Sequence, residues 1–445
     1  MTKANFEAAS PSLARRSVLR HGVLWPALAP LLGLGGATRS AAAAAGVAAN
    51  TGSTFGSTFG STTGSTTSST TRTTAGARSD TDTVTESDTS PRANRVLAFP
   101  QDHGAHPNSR IEWWYATGWL QDPAGAPGAR PGPDLFGFQL TFFRSRTGVE
   151  TALPGRFVPR QLLFAHAALS DISRQRHLHA QRLDRWAGDA PAPGATLPSA
   201  HASATDTALA LGHWTLSRHS AGPNPYRARL AAPEAGFTLD LQLQPTQPLL
   251  LQGQAGYSQK GPLVAQASHY YSQPQLAVSA VLTLPGQQPR KLTGRGWLDH
   301  EWSDALLAPG AVGWDWIGIN LADGGALTAF VLRRADGSVL WAGGSHRPAG
   351  GAVRNFAPAE VVFEPLRTWR SPATGTAYPV QWRITTPHGA VALRALLDAQ
   401  ELDSSASTGT VYWEGLAELL APSGARIGLG YLEMTGRGRA LRLGV

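Results

Sequence analysis

Cysteine is absent from this chain of 445 residues. Its absence excludes a disulfide scaffold, an iron–sulfur cluster, a cysteine-ligated zinc site and a thiol nucleophile. Charged residues are also scarce, at 15% of the chain against about a quarter in ordinary soluble domains. Hydrophobic residues make up 42%, which is enough for large cores. Any chemistry must therefore come from histidine, carboxyl or aromatic side chains.

Lysine is nearly absent, because it occurs only at positions 3, 260 and 291. Arginine thus supplies almost all of the positive charge. The net charge of +8 and the pI near 10.2 are of the kind that nucleic-acid-binding proteins show. However, no dense run of basic residues occurs after residue 92. We therefore predict no nucleic-acid partner.

The N-terminus carries an export pattern. Residues 14–20 read Ala-Arg-Arg-Ser-Val-Leu-Arg, which matches a twin-arginine signal. A weakly apolar stretch at 23–37 follows, and it is too short and too interrupted by proline to be a permanent anchor. Small residues then offer cleavage sites near Ala45 or Ala49. The sequence predicts a signal peptide over 1–49 and a periplasmic or secreted protein.

Two further regions follow the signal. Residues 50–92 are rich in serine, threonine and glycine, which predicts a disordered linker. Short apolar runs then recur between Gly, Pro and Asp turns, and 49 glycines with 32 prolines argue against long helices. We predict an all-β protein with two barrels or sandwiches, one over 93–304 and one over 305–445. Short helical pieces are expected near 181–186 and 358–362.

The densest group of chemically active side chains is Gly-Trp-Leu-Asp-His-Glu-Trp-Ser-Asp at 296–304. On an extended chain, Asp299 and Glu301 point to one face, while His300 and Trp302 point to the other. A histidine beside an aromatic wall, with carboxylates nearby, is typical of a proton-transfer site. The alternative is a polar turn that links two domains.

Metal binding and serine hydrolysis have weaker signals. His103 and His106, like His177 and His179, are spaced for two-point ligation. Neither pair brings a third ligand at a diagnostic spacing, so we predict no metal and no cofactor. No Gly-x-Ser-x-Gly elbow occurs, and no serine stands out as a nucleophile.

Several motifs in the folded part resemble the AttH-like proteins, a family that includes the carotenoid hydratases (hydroxyneurosporene synthases). The resemblance covers about residues 93–440. It rests on an ordered set of segments: Glu112-Trp113-Trp114-Tyr115, Ser268-His269-Tyr270-Tyr271-Ser272, residues 296–302, Trp314-Asp315-Trp316, Tyr412-Trp413-Glu414-Gly415 and residues 430–436.

This resemblance implies two tandem lipocalin-like antiparallel β-barrels after the disordered N-terminal region. It also implies a pocket in or between the barrels and a lipophilic small-molecule substrate. Relatives of this type hydrate isoprenoid double bonds, act on a prenylated phenolic or guide cyclisations. We therefore predict a hydratase-like enzyme. If its substrate is lipid-derived, we also expect peripheral contact with a membrane. The alternative is a non-catalytic periplasmic binder or carrier of a hydrophobic ligand.

Hydrating an alkene requires an acid, an electron-rich wall for the carbocation and a positioned water. The acid is predicted to be protonated His300 or Asp315, and Asp299 or Glu301 would orient His300 or hold the water. The aromatic wall and the rest of the binding site are predicted from Trp302, Trp314, Trp316, Tyr271, Trp114 and Glu112. A second interpretation makes Glu112, Glu414 and Glu433 structural partners of arginines such as Arg144, Arg295 or Arg333. If His300, Asp315 and another acid share one cavity, catalysis is favoured over binding.

Overall fold

A computed structural model describes residues 91–123, 135–148, 159–186, 199–219 and 225–441. The predicted signal peptide and residues 50–90 of the predicted linker lie outside this part of the chain. Within it, the regular elements are β-strands and two short 3-10 helices, Gln101–His103 and Pro358–Glu360. None of the described helices has the length and apolarity needed to cross a bilayer. The all-β prediction is confirmed.

The first sheet has thirteen antiparallel strands: β1 (Ile111–Gln121), β2 (Phe136–Arg146), β3 (Gln161–Asp171), β4 (Arg176–Trp186), β5 (Ala200–Ala202), β6 (Ala208–Leu211), β7 (Trp214–Arg218), β8 (Tyr226–Ala232), β9 (Phe237–Gln244), β10 (Leu250–Leu251), β11 (Tyr257–Gln259), β12 (Ala267–Thr283) and β13 (Arg290–Ser303). Their order is β4-β3-β2-β1-β13-β12-β9-β8-β7-β6-β5, and β10 and β11 pair with β12. The outer strand β4 contacts β5 and β6 at the other end of this order, so the sheet curls into a barrel.

The second sheet has ten antiparallel strands: β14 (Gly313–Leu321), β15 (Ala326–Arg333), β16 (Val339–Arg347), β17 (Arg354–Phe356), β18 (Val362–Arg370), β19 (Ala377–Thr386), β20 (Gly389–Ala395), β21 (Glu401–Ser404), β22 (Thr410–Leu420) and β23 (Arg426–Met434). Their order is β17-β16-β15-β14-β23-β22-β20-β19-β18, with β21 paired to β22. The predicted boundary at 304/305 falls between β13 and β14, and the division into two domains remains a prediction.

Three apolar regions stabilise these sheets. The first sheet encloses one core, for example around Phe138 and Leu140, and the second encloses another around Ile317 and Trp413. A third cluster, which includes Trp297, lies between the sheets. Each fully buried side chain of this size contributes about 1.5–3 kcal/mol through removal of apolar surface from water. Side chains alternate along each strand, so one strand serves two of these regions at once.

One close approach depends on glycine. A Cβ on Gly137 would lie 2.8 Å from the hydroxyl oxygen of Tyr431 and 2.9 Å from the Cβ of Leu416. Both distances are shorter than van der Waals contact, so β2 can pack against the second sheet only because this residue has no side chain. The two sheets therefore meet along β2, β22 and β23.

The two helical expectations had different outcomes. Residues 358–360 form a 3-10 helix, as predicted for 358–362. Residues 181–186 are the second half of strand β4, so the helix predicted there is wrong. Pairing with β3 along its whole length holds this segment extended, which local propensity does not reveal.

Candidate functional site

Strand β13 divides the candidate site residues between two environments. His300 and Trp302 face the interior of the first sheet, where their ring centroids lie 4.9 Å apart. Asp299 and Glu301 face a cavity between the two sheets. The predicted alternation along this strand is therefore confirmed, and its consequence is that two neighbouring residues cannot serve the same site.

The interior side holds a chain of hydrogen-bonded polar groups that we call the histidine network. His300 Nε2 lies 2.9 Å from Glu112 Oε1, and His300 Nδ1 lies 3.0 Å from the hydroxyl of Tyr271. Glu112 Oε1 also lies 2.7 Å from His106 Nδ1, whose Nε2 is 3.0 Å from Asp102. The network consists of Asp102, His103, His106, Glu112, Tyr271 and His300.

The charges of this network are balanced internally. Burial opposes a charge on His106, but Glu112 and Asp102 outweigh it and raise the pKa of His106. Burial would raise the pKa of Glu112, yet the charges of Arg144 and His106 hold it well below its usual value. Burial lowers the pKa of His300, and its hydrogen bond to Glu112 opposes this only in part. A neutral His300 that donates to Glu112 is a poor proton donor for a substrate.

The contacts of Glu112 within this network indicate a structural role. Arg144 Nε lies 2.7 Å from Glu112 Oε2, and both side chains are fully buried. The structure thus contains one of the arginine partners that the second interpretation proposed for Glu112. Trp114 stacks on His300 at 4.6 Å, and Trp302 stacks on His106 at 3.7 Å. These contacts tie the segment before β1 to the inside of the sheet.

Three residues of the histidine network are close enough together to be possible ligands of a metal ion. His106 Nδ1, Glu112 Oε1 and His300 Nε2 all lie within 4.8 Å of one another. Both histidine nitrogens are at hydrogen-bond distance from the same oxygen, so a metal would have to replace two shared protons. It would also stand beside the buried guanidinium of Arg144, which already neutralises Glu112. The donor set fits a hydrogen-bond network better than a metal centre.

The cavity between the sheets has a volume of about 270 Å³. Its walls are mainly apolar and aromatic, as in most small-molecule sites. The side chains that line it come from β1–β3, β12 and β13 of the first sheet and from β14, β15, β22 and β23 of the second. The loops at 260–266 and 304–309 also contribute. The aromatic lining residues are Trp113, Tyr115, Phe143, Tyr270, Trp314, Trp316, Phe330 and Tyr412.

Four acidic residues on strands line the cavity: Asp299, Glu301, Glu414 and Glu433. Asp299 has the most hydrogen-bond donors directed at it. Its Oδ1 accepts hydrogen bonds from Ser272 at 2.5 Å and Trp297 at 2.7 Å, and its Oδ2 accepts one from Tyr270 at 2.9 Å. Burial nonetheless raises the pKa of Asp299 to about 7, because these hydrogen bonds oppose the loss of hydration only in part. Both protonation states are therefore populated near neutral pH.

Glu301 has a cationic partner. Lys260 Nζ lies 3.2 Å from Glu301 Oε1, and the ammonium group also sits 4.5 Å from the ring of Tyr270 and 4.4 Å from that of Phe330. Ser268 donates a hydrogen bond of 2.5 Å to the same carboxylate oxygen. Glu301 is thus held by a cation and a hydroxyl, unlike Asp299, Glu414 and Glu433.

Glu414 and Glu433 complete the acidic lining. They are directly paired across β22 and β23, and both side chains line the cavity. Burial and the charge of Glu433 raise the pKa of Glu414 well above its usual value. Burial raises the pKa of Glu433 to about 7, while the hydrogen bond from Trp314 opposes the shift. Both residues occur in the motifs identified from the sequence, but they were assigned there to structural ion pairs.

Asp315 lies apart from this group. It shares its strand face with Ile317 and Ile319 of the second core. Arg333 Nε lies 2.9 Å from its Oδ2 and Arg437 Nε lies 3.2 Å from its Oδ1. Two guanidinium groups therefore occupy its oxygens, and it is not among the residues that line the cavity.

The structure thus brings together four of the ten predicted site residues. Asp299, Glu301, Trp314 and Trp316 line one cavity. The other six predicted residues lie elsewhere, in the histidine network or its stacking partners and in the second core: Glu112, Trp114, Tyr271, His300, Trp302 and Asp315. His300 and Asp315, whose meeting with another acid in one cavity was the condition that would favour catalysis over binding, both lie outside this cavity. The polar residues of the cavity wall that were not predicted as site residues include Tyr270, Tyr412, Glu414, Glu433, Lys260 and His166.

Two large antiparallel sheets, the first curled into a barrel, with an acidic, aromatic cavity between them define a tandem lipocalin-like protein. The chain belongs to the AttH-like family, whose model matches residues 90–437. The solved structure of an AttH protein from Nitrosomonas europaea is 44% identical, with a TM-score of 0.67, over 77% of this chain and 98% of that one. Kievitone hydratase from Nectria haematococca shares the fold at 15% identity and a TM-score of 0.54, over 78% of this chain and 95% of that one. The comparison with curated proteins found no match.

Proposed function

We propose that this protein is an enzyme that adds water to a carbon–carbon double bond of a lipophilic, isoprenoid-type substrate in the cavity between the sheets. One observation carries the proposal: buried carboxyl groups with raised pKa values face an apolar, aromatic cavity. Asp299, Glu414 and Glu433 form this group. A non-catalytic binder needs no such convergence of acids, since burying carboxyl groups without cations costs stability.

The aromatic wall suits the intermediate of such a reaction. Protonation of a trisubstituted alkene gives a tertiary carbocation, which the π faces of tryptophan stabilise by about 0.5–2 kcal/mol each. Trp113 and Trp314 stack in this wall with ring centroids 6.4 Å apart and an angle of 14° between the rings. Trp316 adjoins them, and its Nε1 lies 3.3 Å from the hydroxyl of Tyr270.

Asp299 suits the role of the base. Ser272, Trp297 and Tyr270 all direct hydrogen atoms to its oxygens, an arrangement that favours the ionised form. In this form it would orient a water molecule and accept its proton. The likeness to kievitone hydratase agrees with the proposal, because a hydratase uses the same fold.

Export of the protein is proposed from the twin-arginine pattern. Replacement of Arg15 and Arg16 by lysine in a signal–reporter fusion should abolish transport of the reporter. Replacement of Arg20 alone is the control and should leave transport largely intact. Transport of the double variant at the wild-type rate would contradict twin-arginine export.

Contact with a membrane surface is proposed for substrate entry. The loop at 260–266 forms part of the cavity wall, and Leu263 and Val264 on it are each 66% exposed. Two apolar side chains at the rim of an apolar cavity would lie in the interface of a bilayer that holds the substrate. Co-sedimentation with phospholipid vesicles should fall when both are replaced by serine.

The central experiment uses a prenylated phenol in ¹⁸O-labelled water. Mass spectrometry should find a product that is heavier than the substrate by one labelled water, and Asp299→Asn should slow its formation by about 100-fold or more. The control is Asp240→Asn, which lies on the surface of β9 beside Arg229. If purified protein carries a saturated lipid and turns over no alkene, the binder is the correct function.

A further inference from the structure

The cavity holds two acids to which the proposed function assigns no separate role. Glu414 on β22 and Glu433 on β23 are direct cross-strand partners and face the same side of the sheet. Both side chains are buried in the wall of the cavity. Like charges at directly opposed positions of a sheet repel each other, and burial strengthens the repulsion.

No cation relieves this repulsion. Among the described residues, neither glutamate forms an ion pair with lysine, arginine or histidine. The charges of Asp299 and Glu301, which also act on Glu433, are acidic too, and Lys260 pairs with Glu301. The other titratable groups around the pair are the tyrosines Tyr115, Tyr412 and Tyr431, all of which stay neutral because burial raises their pKa values.

The hydrogen bonding of the pair is asymmetric. Trp314 Nε1 donates to Glu433 Oε2 at 3.0 Å, and indole nitrogen can only donate, so this oxygen must act as an acceptor. Glu414 has different neighbours: the hydroxyls of Tyr115 and Tyr412 hydrogen-bond to it, and they oppose only in part the rise in its pKa that burial and the charge of Glu433 cause. A hydroxyl can accept as well as donate, unlike an indole nitrogen, so the surroundings of Glu414 accommodate a protonated carboxyl group.

We propose that Glu414 and Glu433 share one proton, held mainly on Glu414, and that this pair is the acid that protonates the substrate double bond. The assignment rests on the proposed function and divides its chemistry between two sides of the cavity. The first sheet supplies the base, Asp299, and the second sheet supplies the acid. Buried carboxyl pairs retain a proton in this way because both cannot ionise at once.

The reaction balances with these groups. The proton of the pair moves to one alkene carbon, the π electrons form the new C–H bond, and the neighbouring carbon becomes a cation. Water from solvent forms a C–O bond to that carbon and gives its proton to the carboxylate of Asp299. The substrate gains one water, and the protein holds the same number of protons as before. Transfer of the proton from Asp299 back to the pair, through solvent, restores the starting state.

The proton can be observed without any turnover. Infrared spectroscopy of the full chain at pH 8 should show the carbonyl stretch of a protonated carboxylic acid. Glu414→Gln should abolish this band, and Glu433→Gln should shift its frequency, because the partner of the proton changes. The control is Glu418→Gln, on the same strand as Glu414, where Arg394 Nε binds the carboxylate at 2.8 Å. This control should leave the band unchanged.

Absence of the band from the wild-type protein, or an unchanged band in Glu414→Gln, would overturn the proton-sharing pair.

In the labelled-water assay, Glu414→Gln should lower kcat by about 100-fold or more with KM changed only a few-fold. Glu418→Gln should retain wild-type kcat, and wild-type kcat in Glu414→Gln would overturn the catalytic assignment. If the wild type hydrates no alkene but shows the band, the proposed function fails while the shared proton stands. Glutamine keeps the shape of the side chain, and thermal unfolding checks that each variant is folded.

Discussion

Asp299 and His300 are neighbours in the sequence, yet they face opposite sides of strand β13 and belong to different environments. Asp299 lines the cavity between the sheets, whereas His300 is fully buried against Glu112 inside the first sheet. Substitutions at these two positions should therefore have different effects. Changes on the cavity side should alter chemistry, and changes on the interior side should alter stability first.

His300→Ala should destabilise the protein by about 3–5 kcal/mol. The substitution removes one hydrogen-bond partner from each of Glu112 and Tyr271 and opens a void beside Trp114. Chemical denaturation measures the loss. The exposed His388→Ala is the control and should change stability by less than about 0.5 kcal/mol. Unchanged stability of His300→Ala would contradict the structural role. Wild-type turnover by a folded His300→Ala protein would remove His300 from the mechanism.

Arg144→Ala should also be strongly destabilising, because it leaves the carboxylate of Glu112 buried without its guanidinium partner. The expected loss is about 3–5 kcal/mol in the free energy of unfolding. Arg229→Ala removes a surface ion pair with Asp240, at 60% and 43% exposure, and should cost less than about 1 kcal/mol. Equal losses in the two variants would show that the Glu112–Arg144 pair has no special role.

The contribution of Asp299 to the stability of the protein should decrease as pH rises from 4 to 7. The folded state raises the pKa of Asp299 from 3.8 to about 7, so in this window it holds a proton that the unfolded state has released. Asp299→Asn should remove this part of the dependence. The gain in stability should be small at pH 4 and reach on the order of 2–4 kcal/mol above pH 7. A gain that does not vary with pH, measured by denaturation at several pH values, would contradict the raised pKa.

Trp314→Phe should raise the pKa of Glu433 by about one unit, since the variant lacks the indole donor that lowers it. The carboxylate band of Glu433, followed by infrared titration, should move to higher pH. Trp316→Phe is the matched control, because its indole nitrogen points to Tyr270 and not to Glu433. Equal titration curves for Trp314→Phe and the wild type would show that this hydrogen bond does not tune the acid.

The sequence predicted part of this site correctly for a clear reason. Alternation along a strand is a local property, so the separation of Asp299 and Glu301 from His300 and Trp302 followed from spacing alone. The alternation of β1 was equally readable, and the structure places Trp113 in the cavity and Trp114 beside His300. The spacing did not show which of the two faces of each strand borders a cavity.

The sequence by itself determined the all-β class, the family, the strand pattern and the acids of β13, because these depend on composition and on the period of two along each strand. Only the tertiary structure decided the use of each face. Glu112 meets Arg144 and His300 through pairing with β2 and β13, which neutralises it. Glu414 and Glu433 meet each other through the β22–β23 register, with no arginine opposite them. The physical reason is that the charge state of a buried carboxyl depends on partners far away in the chain, which only the packing of the sheets brings near.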